Sequence, residues 1–407
     1  MWVDAGERDE CRMRVAIAGG GIGGLTLGRA LAERGVQADV YEQAGELREI
    51  GAAVALSANG VRELERLGLG EGLAAISTQP SSLCIRRSDG TLICREPMGE
   101  GNVYPEAFGS AYYGVHRVPL LKLLAEGLDP DRIHLAHRVT DASEDGRLRF
   151  ENGTEAMADV VVAADGVHSA VRRALRFGGE SVFSGTVGYR GLVPVSEIPS
   201  LPEPSAIQFW AGPDRHLLHY PIDDGQTINF LAVVRTTDWQ SEAWMEKCDP
   251  TESAHAFAGW HPAVCEMVAA VSESARWALH DHTPLERWHL GRVVLLGDAA
   301  HAMLPHQGQG ANQTIEDAAA LAVHLASADT AAPEPALERY DVQRRARTTR
   351  VQMYSRRAVD LLHVDANRFA ERDGAFAALP TDLAWIHGHD ARGTAEADRH
   401  GNSAVHA

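Results

Sequence analysis

Residues 15–43 read VAIAGGGIGGLTLGRALAERGVQADVYEQ, and this stretch decides the fold. The run RVAIAG is short and wholly apolar, as a strand buried on both faces would be. GLTLGRALAERG carries Leu25, Leu27, Ala30 and Leu31 at helical spacing, with Gly35 as a stop. QADVYEQ reads as a second buried strand. Between the first strand and the helix, Gly19, Gly21, Gly23 and Gly24 crowd together, with Gly19, Gly21 and Gly24 in GxGxxG register. In a βαβ unit the first glycine permits the tight turn, the second lets a pyrophosphate approach the backbone, and the third lets helix and strand pack closely. The free N–H groups of the helix start then face the phosphates. Glu42 closes the second strand, where an acid can accept hydrogen bonds from a ribose. An acid there disfavours a 2′-phosphate, so the expected ligand is FAD or NAD rather than NADP. The motif does not choose between those two.

The rest of the composition narrows the class. The chain has 407 residues, 45% hydrophobic and 23% charged, which suits a globular protein of two or three domains. A formal net charge of −18 argues against a nucleic-acid partner or an anionic membrane surface. No apolar run reaches the roughly 18 residues of a transmembrane helix, and MWVDAGERDECRMR lacks the apolar core of a signal peptide. The five cysteines, Cys11, Cys84, Cys94, Cys248 and Cys265, are scattered and form no CxxC. Neither a disulfide framework nor a metal site is indicated, and a cytoplasmic setting is expected.

Further along, SSLCIRRSDGTLICREP predicts a hairpin about Ser88-Asp89-Gly90, VHRVPLLKLLAEGL a helix with Pro119 in its first turn, and LRFENGTEAM a hairpin about Asn152-Gly153. From about Phe177 to Ala278 several β-rich runs (TVGYRGLVPV, AIQFW, RHLLHYPI, TINFLAVVR) predict an antiparallel sheet covering one side of a pocket. RVVLLGDAAHAMLPHQGQGANQTIEDAAALAVHLA then returns to α/β style. Asp298 stands just past the C-terminal end of a strand, where open α/β sheets bind ligands. An anion there can accept from a polyol. The alternative is an ordinary helix N-cap. Gly308 and Gly310 let backbone approach a flat ring, and the N–H groups of Gly310, Ala311 and Asn312 favour partial negative charge on it. One ligand spanning both motifs is expected, and FAD has the ribityl chain that NAD lacks. The closing stretch 334–372 predicts helix, with Arg344 to Arg357 on a solvated face.

These motifs resemble the single-component FAD-dependent aromatic hydroxylases, in particular the salicylate hydroxylase and 3-hydroxybenzoate 6-hydroxylase branch. The likeness rests on GGGIGG with Glu42, on ADGVHSAVR at 164–172 and on GDAAHAMLPHQGQGAN at 297–312, and covers residues 13–345. It implies an α/β fold: a Rossmann-like FAD-binding domain of three-layer ββα/βαβ architecture (13–177 and 281–332) and a substrate-binding antiparallel sheet domain (178–280); the sequence itself adds a C-terminal helical segment (333–372) and a flexible polar tail (373–407). The likeness implies that Arg117 and Asp165 join the glycines, Glu42, Arg48, Asp298 and 308–312 in holding FAD, and that Pro305 lies against the reaction centre. NADH or NADPH would reduce the flavin in transit, O2 would add to it, and the resulting hydroperoxide would hydroxylate an electron-rich ring. The expected partners are therefore a small aromatic substrate, O2 and NAD(P)H, acting on a monomer or homodimer.

Such chemistry needs a base near neutrality, which suits histidine. In RHLLHYPI, His216, Leu218 and Tyr220 share one strand face. By resemblance to 3-hydroxybenzoate 6-hydroxylase, His216 is the expected base and Tyr220 orients substrate. The flavin-side glutamine of that enzyme is Pro305 here. Arg190 could pair a substrate carboxylate or belong to a structural ion pair. Competing readings are a tailoring oxygenase acting on an indole or polyketide phenol, an NAD-dependent dehydrogenase using the first motif alone, and a non-catalytic flavoprotein.

Overall fold

The computed structural model describes residues 13–47, 53–237, 239, 245–271, 275–364 and 368–399. Arg48 lies outside the described residues.

The first motif folds as its pattern demands. Arg14–Ala18 pairs in parallel with Gln37–Tyr41 on one side and Val160–Ala163 on the other. These strands sit inside a six-stranded sheet that continues through Val293–Leu295 to His289–Leu290 at one edge and Ile133–His134 at the other. Helix Ile22–Glu33 crosses between the first two strands and packs against helix Gly310–Leu325. Two glycines are fixed by contact. A Cβ on Gly19, whose φ is +113°, would lie 2.3 Å from the carbonyl oxygen of Ala164, and one on Gly24 would lie 1.9 Å from that of Gly19. Gly24 therefore serves helix–strand packing, as its place in the motif predicts.

The β-rich stretch forms most of an eight-stranded sheet: Met245–Lys247, Ala275–His282, Ser181–Pro194, Thr227–Arg235, Arg215–Ile222, Ile207–Gly212, Ser82–Arg87 and Leu92–Pro97, in that spatial order. Two features differ from the expectation. The hairpin 82–97, placed by sequence within the dinucleotide part, joins this sheet through a parallel pairing of Ser82–Arg87 with Ile207–Gly212. The sheet is thus mixed, and division at residue 177 does not divide the sheets. Local sequence shows a hairpin but not which sheet it joins.

The C-terminal part is corrected more strongly. Helix Glu334–Leu362 is followed by Phe369–Asp382, Ala384–His387 and Ala391–Arg399. Ile386, Ala391 and Ala395 are fully buried, so through residue 399 the polar tail is a packed part of the molecule. Nor is the arginine run a solvated face. Arg344 is wholly buried and donates from Nη1 to Glu316 at 2.6 Å and from Nε to Asp317 at 2.7 Å. Arg347 bonds Glu316 at 2.7 Å, and Arg356 pairs with Asp281.

Candidate active site

One continuous cavity of about 1560 Å³ joins the two glycine motifs. At one end it is lined by Gly19, Gly21, Gly23, Glu42, Arg117 and Asp165. At the other it is lined by Asp298, Pro305, Gly308, Gly310 and Ala311. A Cβ built on Gly21 meets nothing within 4 Å, which leaves open the space a pyrophosphate needs. Glu42 accepts from the N–H of Gly20 at 2.7 Å through one oxygen and from Ala44 at 2.8 Å through the other. Each oxygen keeps acceptor capacity for a ribose. Asp165 accepts through Oδ2 from Ala170 at 2.7 Å, while its Oδ1 is buried without a partner. Burial raises this carboxyl, against the hydrogen bonds that lower it. An unpartnered buried oxygen lining a cavity is suited to a ligand hydroxyl.

Asp298 is the first residue of the short helix Asp298–His301, whose N-cap is Gly297, and is exposed into the cavity. The N-cap alternative therefore falls. Behind it, Asp317 accepts from the Gly297 N–H at 3.0 Å and from His301 Nε2 at 2.6 Å, which fixes the turn from which Asp298 projects. The start of helix Gly310–Leu325 points at the same space. Its first i→i−4 bond is that of the Gln313 N–H to Gln309 at 2.8 Å, so the preceding N–H groups are free for a ligand. Asn312 is not in the cavity wall. Its side-chain oxygen accepts from Ser57 N–H at 3.0 Å, and its amide donates to Ala55 at 3.0 Å and Gly308 at 2.8 Å. It holds the loop's shape, and only its backbone can serve a ring.

The floor beyond the cradle is the large sheet. Cross-strand partners Arg190, Leu231, Leu218, Phe209 and Ile85 form one row, and all line the cavity. Tyr220 and Asn229 stand in the next row and also line it. Among the described residues no carboxylate pairs with Arg190. Its guanidinium lies 5.7 Å from the Trp277 ring and beside Tyr220 and Arg117.

His216 requires a correction. It is on the expected face with Leu218 and Tyr220, but it stands in the row Gly188, Val233, His216, Ala211, about 7 Å further along the strand and outside the cavity wall. Its Nδ1 is 2.7 Å from Nε2 of His363, and its ring centroid is 5.2 Å from that of His306. Of these three histidines His306 is the one that lines the cavity, with both ring nitrogens buried and unpartnered. Burial, with His363 nearby, lowers its pKa to about 3, and burial pushes His216 well below its usual range. His306 stands in the quoted motif beside Pro305, so its signal was present. His387 and Tyr112, also in the wall, carried none.

A two-ended cavity with a polyol acceptor and a ring cradle is the geometry of FAD, and the comparisons agree. The family model described as FAD binding domain matches residues 12–355. The chain belongs to this family. A 3-amino-4-hydroxybenzoate 2-monooxygenase of Streptomyces platensis is 40% identical over 93% of this chain and 97% of its own. A salicylate hydroxylase solved in a substrate complex has TM-score 0.81 and 30% identity, covering 95% of this chain and 98% of its own. Klebsiella pneumoniae HpxO, solved with FAD and uric acid, has TM-score 0.78 and 27% identity over 94% of this chain and 96% of its own. The chain is a FAD-dependent aromatic hydroxylase. The FAD-binding family does not require the dehydrogenase reading, which leaves the 297–312 loop without a use. No helix among the described residues is long and apolar enough to cross a membrane.

Asp298→Ala should weaken FAD binding roughly tenfold to a hundredfold, since a hydrogen bond to a charged group contributes about 1.5–3 kcal/mol. Titration of apoprotein with FAD, followed by flavin fluorescence, measures it. An unchanged affinity would remove Asp298 from the ribityl site.

Proposed function

We propose that the protein hydroxylates a small hydroxy- or aminohydroxybenzoate, using NADH or NADPH and O2, in the cytoplasm. Bound FAD supplies the hydride acceptor and the oxygen-activating centre. The chain's own residues hold the ring and exclude water. In this reading Arg190 binds the carboxylate, Tyr220 and Tyr112 shape the slot, and Pro305 closes the side next to the cradle. His306 accepts the proton of the ring substituent that activates the carbon to be oxygenated. Its lowered pKa makes it a weak base while the pocket is empty. A benzoate brings the negative charge that raises it again, so proton acceptance is coupled to substrate binding. Among the described residues Cys84, Cys94, Cys248 and Cys265 form no disulfide, in keeping with a reducing compartment.

The observation that carries this reading is Arg190, a cation facing the cavity with no counter-ion among the described residues. An indole would not use it. The test gives the FAD-loaded enzyme 3-amino-4-hydroxybenzoate, salicylate and 3-hydroxybenzoate, each beside its decarboxylated analogue, and scores hydroxylated product by mass spectrometry. Carboxylates should be preferred at least about tenfold in kcat/KM, and Arg190→Met should erase the preference. Equal use of the uncharged analogues by the wild type would reject the benzoate class.

A further inference from the structure

Residues 356–399 lie beyond the stretch matched by the family model, yet they build part of the cavity wall: Ala358, Leu361, Phe376, Leu383, Ala384 and His387. His387 is the polar ring in that wall segment. It comes from the short helix Ala384–His387, which is tied down from both sides. Arg347, bonded to buried Glu316, also donates to the carbonyls of Trp385 at 3.3 Å and Ile386 at 3.1 Å. Beyond the helix, Arg66 forms a two-bond pair with Asp390 at 2.6 and 2.7 Å. The imidazole is therefore held in place by the frame of the protein.

Its surroundings locate it at the ring end of the cavity. The His387 ring lies 5.7 Å from Tyr104, 5.7 Å from Phe108 and 6.3 Å from Tyr112. The Tyr112 hydroxyl is in turn 3.8 Å from a Cβ built on Gly308, in the cradle. Burial, with Arg347 nearby, lowers the His387 pKa to about 4, so the ring is neutral at pH 7 and presents one acceptor nitrogen. Tyr104 already accepts from the Ala58 N–H at 3.1 Å. The His387 imidazole makes no hydrogen bond among the described residues; its backbone N–H donates to the Leu383 carbonyl at 3.1 Å. In an aromatic box, a positioned acceptor of this kind selects for a donor on the ligand.

We propose that His387 is a specificity-determining residue that accepts a hydrogen bond from a second donor substituent on the substrate ring, distinct from the carboxylate at Arg190 and the activating group at His306. The substrate is then a benzoate bearing two donors, such as an amino and a hydroxyl group. This rests on the benzoate reading above.

The test titrates the FAD-loaded protein, without reductant, with 3-amino-4-hydroxybenzoate and with 3-aminobenzoate, following the flavin absorbance change. Wild type should bind the two-donor ring about tenfold more tightly. His387→Phe, which keeps the aromatic packing, should bind both equally, and His387→Gln, which keeps an acceptor, should restore part of the preference. Equal discrimination in wild type and His387→Phe overturns the inference, as does a wild type that binds both probes alike. Should His387→Phe fail to fold, a His387→Gln variant with a preference no different from wild type, combined with a His387→Leu variant that also keeps it, overturns it equally. A wild type that binds neither probe rejects the benzoate reading itself, which separates the two failures.

Discussion

Arg344→Met should be about 3–5 kcal/mol less stable than the wild type and should hold FAD poorly. Removing one partner of a buried ion cluster leaves the others charged with less compensation, which is costlier than never having had the cluster. Here the remainder would be Glu316 and Asp317, both wholly buried, with Arg347 and with His301 and the Gly297 N–H as their remaining partners. Burial on its own would raise the Asp317 carboxyl, but His301 and Arg344 together hold it below the usual range. Glu316 is likewise held low against burial by Arg347 and Arg344. A depressed carboxyl contributes stability above its unfolded pKa, about 4, and loses it as pH falls through the folded value. Without the guanidinium, burial is opposed less and both carboxyls rise. The deficit of the variant should then be largest at neutral pH and should narrow as acid protonates them. Urea unfolding at pH 7 and pH 5 measures both points. Arg344→Lys should recover only part, because Arg344 also donates to the Gln313 carbonyl at 3.2 Å and side chain at 3.0 Å, a fork that a single ammonium does not reproduce. A variant within about 0.5 kcal/mol of wild type would contradict this account. The FAD effect follows from Asp317, which carries the Gly297 N–H and so the position of Asp298.

That cluster also shows where sequence reading stopped. The two glycine motifs and Glu42 were legible because their chemistry is local: a turn, a helix start and an acid one strand away. Even the glycine roles were readable, with Gly24 packed against Gly19 and Gly21 left open. The period-two pattern of 215–222 correctly grouped His216, Leu218 and Tyr220 on one face. It could not say how far along the strand the cavity extends, because that is set by what lies on the sheet. Leu218 meets the open space, while His216, one row on, is covered by His306 and His363. Arg344 was read as solvated because basic residues on a helix usually are. Its partners, Glu316 and Asp317, are in a different helix, and no local pattern announces that pairing. His387 was invisible for the same reason: a composition-poor tail gives no sign that it returns to the cavity.

His306→Ala should still bind FAD but should lose about 10²–10⁴-fold in product formation, the usual worth of a general base. It lines the cavity beside Pro305, whereas the dinucleotide contacts are elsewhere. His216→Ala should lose much less, because His216 is separated from the cavity by His306. Its effect should come through support of that ring and through His363, to which it is bonded at 2.7 Å. His219→Ala is the control. His219 lies on the opposite face, buried with its ring 6.4 Å from Trp210, and its loss should alter stability but not coupling of NAD(P)H use to product. The pH profile adds a sign. In the free protein His306 and His216 are both lowered by burial and stay neutral from pH 6 upward. The kcat/KM profile should therefore run level between pH 6 and pH 8, with no limb at the ordinary histidine value of about 6.5. A limb near that value, lost in His216→Ala and kept in His306→Ala, would return the role of base to His216 and would mean that the ring reaches one row further along the sheet than the cavity does. Equal losses in His306→Ala and His219→Ala would remove His306 from the chemistry altogether, since one faces the cavity and the other is shielded from it by the sheet.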